Sequence, residues 1–253
     1  MRQSSRNSKD VRLWWWTGVS HVVTRMRTSE CDVGKTLGLT GLAGVASAIA
    51  VHLATYGRWR ERCLGWGATP EELRVALPGD DLLLEPDIVS TRVVTVDAPA
   101  ECVWPWLVQM GPGRGGAYTY DWIENLFGLG MHSAAEILPQ YQDLNVGDKF
   151  QLGTHGPTLH VAVFEPQRAL VIRSDDGNWI WTFCLRPAAS GTRLISRNRI
   201  ATPDASPMIR AVNKYLMEPG SLIMERKMLA GIRHRAERLA TSGHDASSTI
   251  PPQ

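Results

Sequence analysis

The sequence has no strong charge of either sign: 27 Lys and Arg stand against 25 Asp and Glu, a formal net charge of +2. So even a balance gives no electrostatic reason to expect nucleic acid as a partner. Cysteine is scarce and scattered. Cys31, Cys63, Cys102 and Cys184 form no C-x-x-C pair and have no histidine at ligand spacing, which speaks against a zinc site and against a dense disulfide framework. Also missing are the G-x-S-x-G elbow, H-E-x-x-H and any Cys/His pairing, so no metal and no cofactor is expected. One phosphate-binding spacing does occur, Gly111, Gly113 and Gly116 in "GPGRGGAYTYDWIENLFG". It comes after a helical pattern rather than a strand and lacks a Gly-Lys-Ser/Thr ending, so neither a dinucleotide fingerprint nor a Walker loop is expected.

Residues 1–35 show no sustained apolar period and read as a flexible tail; Met26 leaves a later translation start open. Residues 36–57, "TLGLTGLAGVASAIAVHLATYG", carry no Asp, Glu, Lys or Arg. About 20 such residues cross a bilayer, so the stretch reads as a transmembrane helix, with a signal-like segment or a buried helix as alternatives. Basic residues on both sides leave its orientation open; a cytoplasmic placement of the C-terminal domain is slightly preferred. The small residues of "GLTGLAG" would suit self-association. Residues 58–87 read as a connector with one short helix, opened by Thr69, Pro70 and Glu72 as a capping box and stopped by Pro78 and Gly79.

The main domain is expected over 88–241, with 242–253 a disordered tail. "IVSTRVVTV" is β-branched and predicts a strand; "AECVWPWLVQM" predicts a helix shortened or bent by Pro105. "YDWIENLFG" predicts a second helix, and Ser133 with Glu136 a capping box opening a third over "SAAEILPQY". The pattern then turns to period two in "DKFQL", "TLHVAVF", "ALVIR", "WIWTFCLR" and "TRLISRNRI", five strands of an antiparallel meander. Trp179, Trp181, Phe183 and Leu185 share one face, expected to be the buried one. Arg193, Arg197 and Arg199 share a face with Ile195, leaving Ser196 and Asn198 opposite, either as pocket lining or as a shielded pair bonded to backbone. A C-terminal helix is expected to break at Pro219 and Gly220 and resume to about Ala240. Its apolar stripe includes Leu222, Met228, Leu229, Ile232 and Ala236. Glu225 falls within that stripe, where a carboxylate must be paired, with an arginine such as Arg114, or serve a ligand or proton transfer.

This order of elements, with "VTVDAPAECVWPWLVQMG" at the first strand and helix, resembles the START-like (SRPBCC) superfamily and its polyketide cyclase/dehydrase-like branch. "LGWGATPEELRVALPGDD", "GRGGAYTYDWIENL" and "MERKMLAGI" are similar to uncharacterised actinobacterial-type SRPBCC proteins with an N-terminal membrane segment. The resemblance covers about residues 60–240. It implies an α+β helix-grip fold, a curved antiparallel sheet wrapped on a long C-terminal helix, with an apolar cavity between them. It also implies a single-pass location at a bacterial cell membrane. The function expected is a membrane-tethered carrier or sensor of a lipid or polyketide-like molecule. Its ligand-binding candidates are Arg114, Tyr118, Tyr120, Trp122, Trp179, Trp181, Phe183, Ser196, Asn198, Glu225 and Met228, with the glycine loop as a mobile rim. The alternatives are a cyclase, dehydrase or hydrolase using Tyr120, Asp121 or Glu225, and a membrane protein acting through partners.

Overall fold

The computed structural model describes residues 51, 55–126, 128–153 and 156–248, with side chains as far as Ser242. The chain divides into two units, Met1–Cys63 and Leu64–Gln253. In the first, residues 51 and 55–63 are helical; the expected tail 1–35 and most of the expected membrane span 36–57 lie outside the described residues. Among the described residues no helix is long and apolar enough to cross a membrane.

The second unit is α+β. It runs α1 (Pro70–Arg74), a 3-10 turn (Asp80–Leu82), β1 (Ile88–Val96), α2 (Ala100–Val108), α3 (Asp121–Leu126) and a second 3-10 turn (Pro139–Tyr141). Then come β2 (Lys149–Gln151), β3 (Thr158–Glu165), β4 (Ala169–Ser174), β5 (Trp179–Ala188), β6 (Gly191–Ile200), α4 (Pro207–Val212), a π-helical turn (Asn213–Met217) and α5 (Glu218–Ser248). The five expected strands form the meander, and β1 joins its far side, giving the antiparallel order β1-β6-β5-β4-β3-β2. Registers Arg92 to Ser196, Phe183 to Ser196 and Trp181 to Asn198 place all these side chains on one face. On that face α2 and α5 bury Val94, Val96, Leu107, Phe183, Leu194, Met228, Leu229, Ile232 and Ala236, each worth roughly 1.5–3 kcal/mol of apolar transfer for the larger side chains.

The opposite face is buried too, which alternation on β5 did not suggest. Ile180 and Thr182 are inaccessible, and Val93, Cys184 and Ile195 pack against Ala68, Val75 and Leu77. Residues 64–85 are therefore part of the domain, and the expected boundary near Ile88 moves to Leu64. Three arginines on β6 hold this strap. Arg193 grips Glu72 at 2.6 Å, the same glutamate that completes the Thr69 capping box. Arg197, 3% exposed, donates to Asp80 at 2.6 Å, to the carbonyls of Val75 and Glu72 at 2.8 and 2.7 Å, and to Thr91 Oγ1 at 2.9 Å. Arg199 donates to Leu83 O at 3.0 Å.

Three local expectations are corrected. No helix opens at Ser133, because its N–H and hydroxyl both donate to the Asp121 carboxylate, at 2.8 and 2.6 Å, rather than capping the next segment. Pro219 and Gly220 do not interrupt the C-terminal helix. The π-helical turn ends at Met217, Glu218 N–H donates to Asn213 O in its wider i−5 pattern, and Pro219 follows at the second position of α5. The helix also continues to Ser248, so the expected boundary at 241 lies inside it.

Arg197→Ala should lower stability by about 1.5–3 kcal/mol, the scale of a lost charge-assisted hydrogen bond, since Asp80 keeps Arg199 at 3.7 Å, and speed amide exchange selectively in 68–85. Loss of under about 1 kcal/mol in chemical denaturation would show that the strap is held by its apolar contacts alone.

Candidate functional site

A connected line of polar side chains crosses the inner face of the sheet through β1, β6 and β5; the buried hydroxyls of Ser174 and Thr192 on the same face bond elsewhere, to Asp176 and to Ala98 O. Arg92, 1% exposed, forms a direct ion pair with Glu225 on α5 through Nη1 and Oε2. Its Nη2 donates to Ser221 Oγ at 2.9 Å, and that hydroxyl donates to Glu218 O at 2.8 Å. The other carboxylate oxygen, Glu225 Oε1, accepts from Ser196 Oγ at 2.5 Å and from Asn198 Nδ2 at 3.3 Å. Two indoles complete the line: Trp181 Nε1 donates to Ser196 Oγ at 3.0 Å and Trp179 Nε1 to Asn198 Oδ1 at 2.8 Å. Burial pushes the Glu225 carboxyl above its ordinary range, while Arg92 and the Ser196 hydroxyl pull it part of the way back. Glu225 therefore pairs with Arg92 rather than Arg114, and Ser196 and Asn198 face side chains rather than backbone.

Trp179 and Trp181 stack with centroids 5.7 Å apart and planes 19° from parallel, and Trp181 meets Phe183 at 4.8 Å. The ladder runs from inaccessible Phe183 to half-buried Trp181 and Trp179, and half-buried Phe150 and Leu152 pack against the same core. Along this face Phe183, Leu194 and Met228 are buried and the two indoles are half-buried. A separate groove of about 290 Å³ lies near the far end of α5, lined by Trp106, Ile137, Arg235 and Leu239 among others, and shares no residue with the polar line.

The glycine loop is a closed turn. Gly111 and Gly116 exchange backbone bonds of 3.0 and 3.2 Å, Arg114 N–H donates to Gly111 O and Gly115 N–H to Gln109 O. With these amides occupied, no phosphate cradle is presented. Gly116 has φ +71°, and a Cβ there would lie 2.6 Å from His132 O, so turn geometry and close packing account for this glycine without a hinge. Arg114 donates to Val108 O and Tyr141 O, both at 3.0 Å, and lies over the Tyr141 ring.

The remaining candidates are dispersed. Tyr118 is buried and donates its hydroxyl to Trp106 O at 2.9 Å beneath Arg235; burial pushes its phenol up to about 12. Met228 is a core residue and Trp122 is 70% exposed. Tyr120 lies under the Lys227 ammonium at 5.7 Å, whereas Asp121 is taken by Ser133. Tyr120, Asp121 and Glu225 are each engaged by a different partner, and the described contacts do not join them into one acid/base constellation. Sequence reasoning missed two residues. Arg92 is the single charge in a nine-residue strand, a signal that a buried partner should have been sought. Glu124, 7% exposed, keeps Oε2 without a hydrogen bond, and burial raises its carboxyl above the ordinary range, with Thr119 lowering it and Asp121 raising it further.

No family model matches the chain, and no curated protein matches it. Solved structures do. Among them are the polyketide-cyclase-like protein Cgl2372 of Corynebacterium glutamicum, 16% identical over 65% of this chain and 97% of its own, TM-score 0.30. The AHSA1-like protein of Aeromonas hydrophila is 14% identical over 60% and 94%, TM-score 0.34. Protein BH1534 of Bacillus halodurans is 20% identical over 60% and 99%, TM-score 0.36. At these values the likenesses assign neither a family nor an activity, and the α+β architecture rests on the six-stranded sheet and its helices.

Glu225→Ala should cost about 3–5 kcal/mol by removing the carboxylate that faces the buried Arg92 guanidinium, whereas Arg92→Met combined with Glu225→Leu should recover most of that loss. Urea denaturation of the three variants checks this; equal losses in the single and double variants would contradict it. Glu124→Gln should stabilise the fold at neutral pH. A carboxyl raised in the folded state stabilises only while protonated, and that contribution fades as pH climbs from the unfolded value through the folded one. The gain should therefore vanish at acid pH below the ordinary carboxylate range, read as the difference in melting temperature across pH.

Proposed function

We propose that the second unit is an SRPBCC-type binding domain for an amphipathic small molecule of lipid or polyketide-like character. It would act as a carrier or sensor tethered to a bacterial membrane by residues 36–57. One observation carries the reading: Trp179 and Trp181 stack half-buried, with both indole N–H groups turned inward and bonded to Asn198 and Ser196. Indoles whose polar edges are satisfied inside offer only apolar faces to what approaches. Behind them stands the Arg92, Ser196, Asn198 and Glu225 line. An apolar body laid on the indoles would thus bring a polar group toward Asn198, the most exposed member of that line, in the mixed lining usual for ligand sites.

Binding needs no displacement of the ion pair. The pair fixes Ser196 and Asn198, and these fix the indole planes, so the surface is organised before the ligand arrives. The acid/base candidates named from the sequence are engaged, Glu225 by Arg92 and Ser196 and Asp121 by Ser133, and the unbonded Glu124 carboxyl has no described contact with the indoles. Carriage or sensing is therefore favoured over turnover.

Native mass spectrometry of the full chain followed by organic extraction should find a co-purifying apolar compound, reduced about tenfold in Trp181→Ala, the scale of one lost aromatic contact. A chain that is empty as isolated and takes up no fatty acid or polyketide from a panel would contradict the proposal.

A further inference from the structure

The helical stretch from α4 through the π-helical turn contains no buried residue. Its large apolar side chains face outward: Met208 is 63% exposed and Leu216 56%, continued on α5 by Ile223 at 58%. The spacings of eight and seven place all three on one face of a helix. Charge along 207–227 is one-sided. The basic residues Arg210, Lys214, Arg226 and Lys227 are exposed, while the acidic ones, Glu218 and Glu225, are buried. The solvent therefore meets an apolar stripe bordered by Arg226 and Lys227 beside Ile223, with Arg210 and Lys214 further round the helix and no exposed acidic residue in the stretch, on a chain whose overall charge is nearly balanced. α3 adds to it: the Lys227 ammonium lies over the Tyr120 ring just before α3, which exposes Trp122 and Leu126.

We infer that residues 207–227 dock this face on an anionic phospholipid surface. A short helix with no buried side chain gains little from its own domain, and an apolar stripe bordered by Lys and Arg is the pattern that settles at the headgroup level of such a bilayer. Met208, Leu216 and Ile223 would enter the boundary, the four basic side chains would meet phosphate, and Trp122 has the amphipathic ring that interfaces favour. This contact is separate from the expected span at 36–57 and independent of the indole site. On this reading it lays the unit's surface flat on the membrane rather than leaving it hanging from a tether.

Hydrogen exchange of the full chain, resolved by peptide, separates this contact from any other membrane attachment. Vesicles containing phosphatidylglycerol should slow exchange in 207–227, and vesicles of phosphatidylcholine alone should not. The effect should disappear in Leu216→Asp combined with Ile223→Asp. In Lys214→Glu combined with Lys227→Glu it should need on the order of tenfold more anionic lipid. Circular dichroism checks that the variants remain folded. Three results would overturn the inference: unchanged exchange in 207–227 while the chain is vesicle-bound elsewhere, equal protection by both lipids, or protection that tracks protein concentration without vesicles, which would mark self-association.

Discussion

A guanidinium and a carboxylate buried between a sheet and a helix constrain everything around them. Burying either charge alone is prohibitive, and even as a pair they repay their lost hydration only when every remaining donor and acceptor is met. Arg92 and Glu225 meet that condition through Ser221, Ser196 and Asn198. The arrangement sets the register of the domain. A slip of one residue on β6 would replace Ser196 with an apolar or a cationic side chain, and a slide of α5 by one turn would offer Arg92 either Ser221 or Leu229 in place of Glu225. The long helix is thereby fixed against the sheet with a specificity that apolar packing alone does not impose.

The constraint reaches the far side of the sheet. β1, which supplies Arg92, is an edge strand in the order β1-β6-β5-β4-β3-β2, and an edge is where a sheet is least secure. The strap of residues 64–85 meets that edge with a bond from Val93 N–H to Trp66 O at 3.0 Å, and Arg193, Arg197 and Arg199 anchor it on the neighbouring strand. Arginines on one face of β6 thus hold the strap, while Ser196 and Asn198 on its other face hold the ion pair and the indoles. One strand joins both layers.

Much of this was legible in the sequence where periodicity was strong. The strands of "WIWTFCLR" and "TRLISRNRI", the facing of Ser196 and Asn198, and the discomfort of Glu225 in an apolar stripe all came from alternation and helical spacing. The partner of Glu225 did not, because "IVSTRVVTV" is β-branched on both faces and its alternation does not say which side Arg92 takes. The strap reads as a connector in the sequence because its contacts are long-range ion pairs and carbonyl bonds that leave no period. Ser133 misled for a related reason: a hydroxyl can cap the next helix or reach back to a carboxylate, and only tertiary structure decided for Asp121. The π-helical turn that carries the helix past Pro219 has no sequence signature of its own.

The central claim is that the stacked indoles of Trp179 and Trp181, set by the ion pair behind them, form the ligand surface. Its most direct test is a fluorine spectrum of the full chain labelled with 5-fluorotryptophan, taken as purified and again after bound small molecules are stripped. Among the 10 tryptophans, the resonances of Trp179 and Trp181, assigned by single Phe substitutions, should move and the others should stay. A spectrum unchanged at these two positions, or one that changes chiefly at Trp106 beside the distant groove, would contradict it.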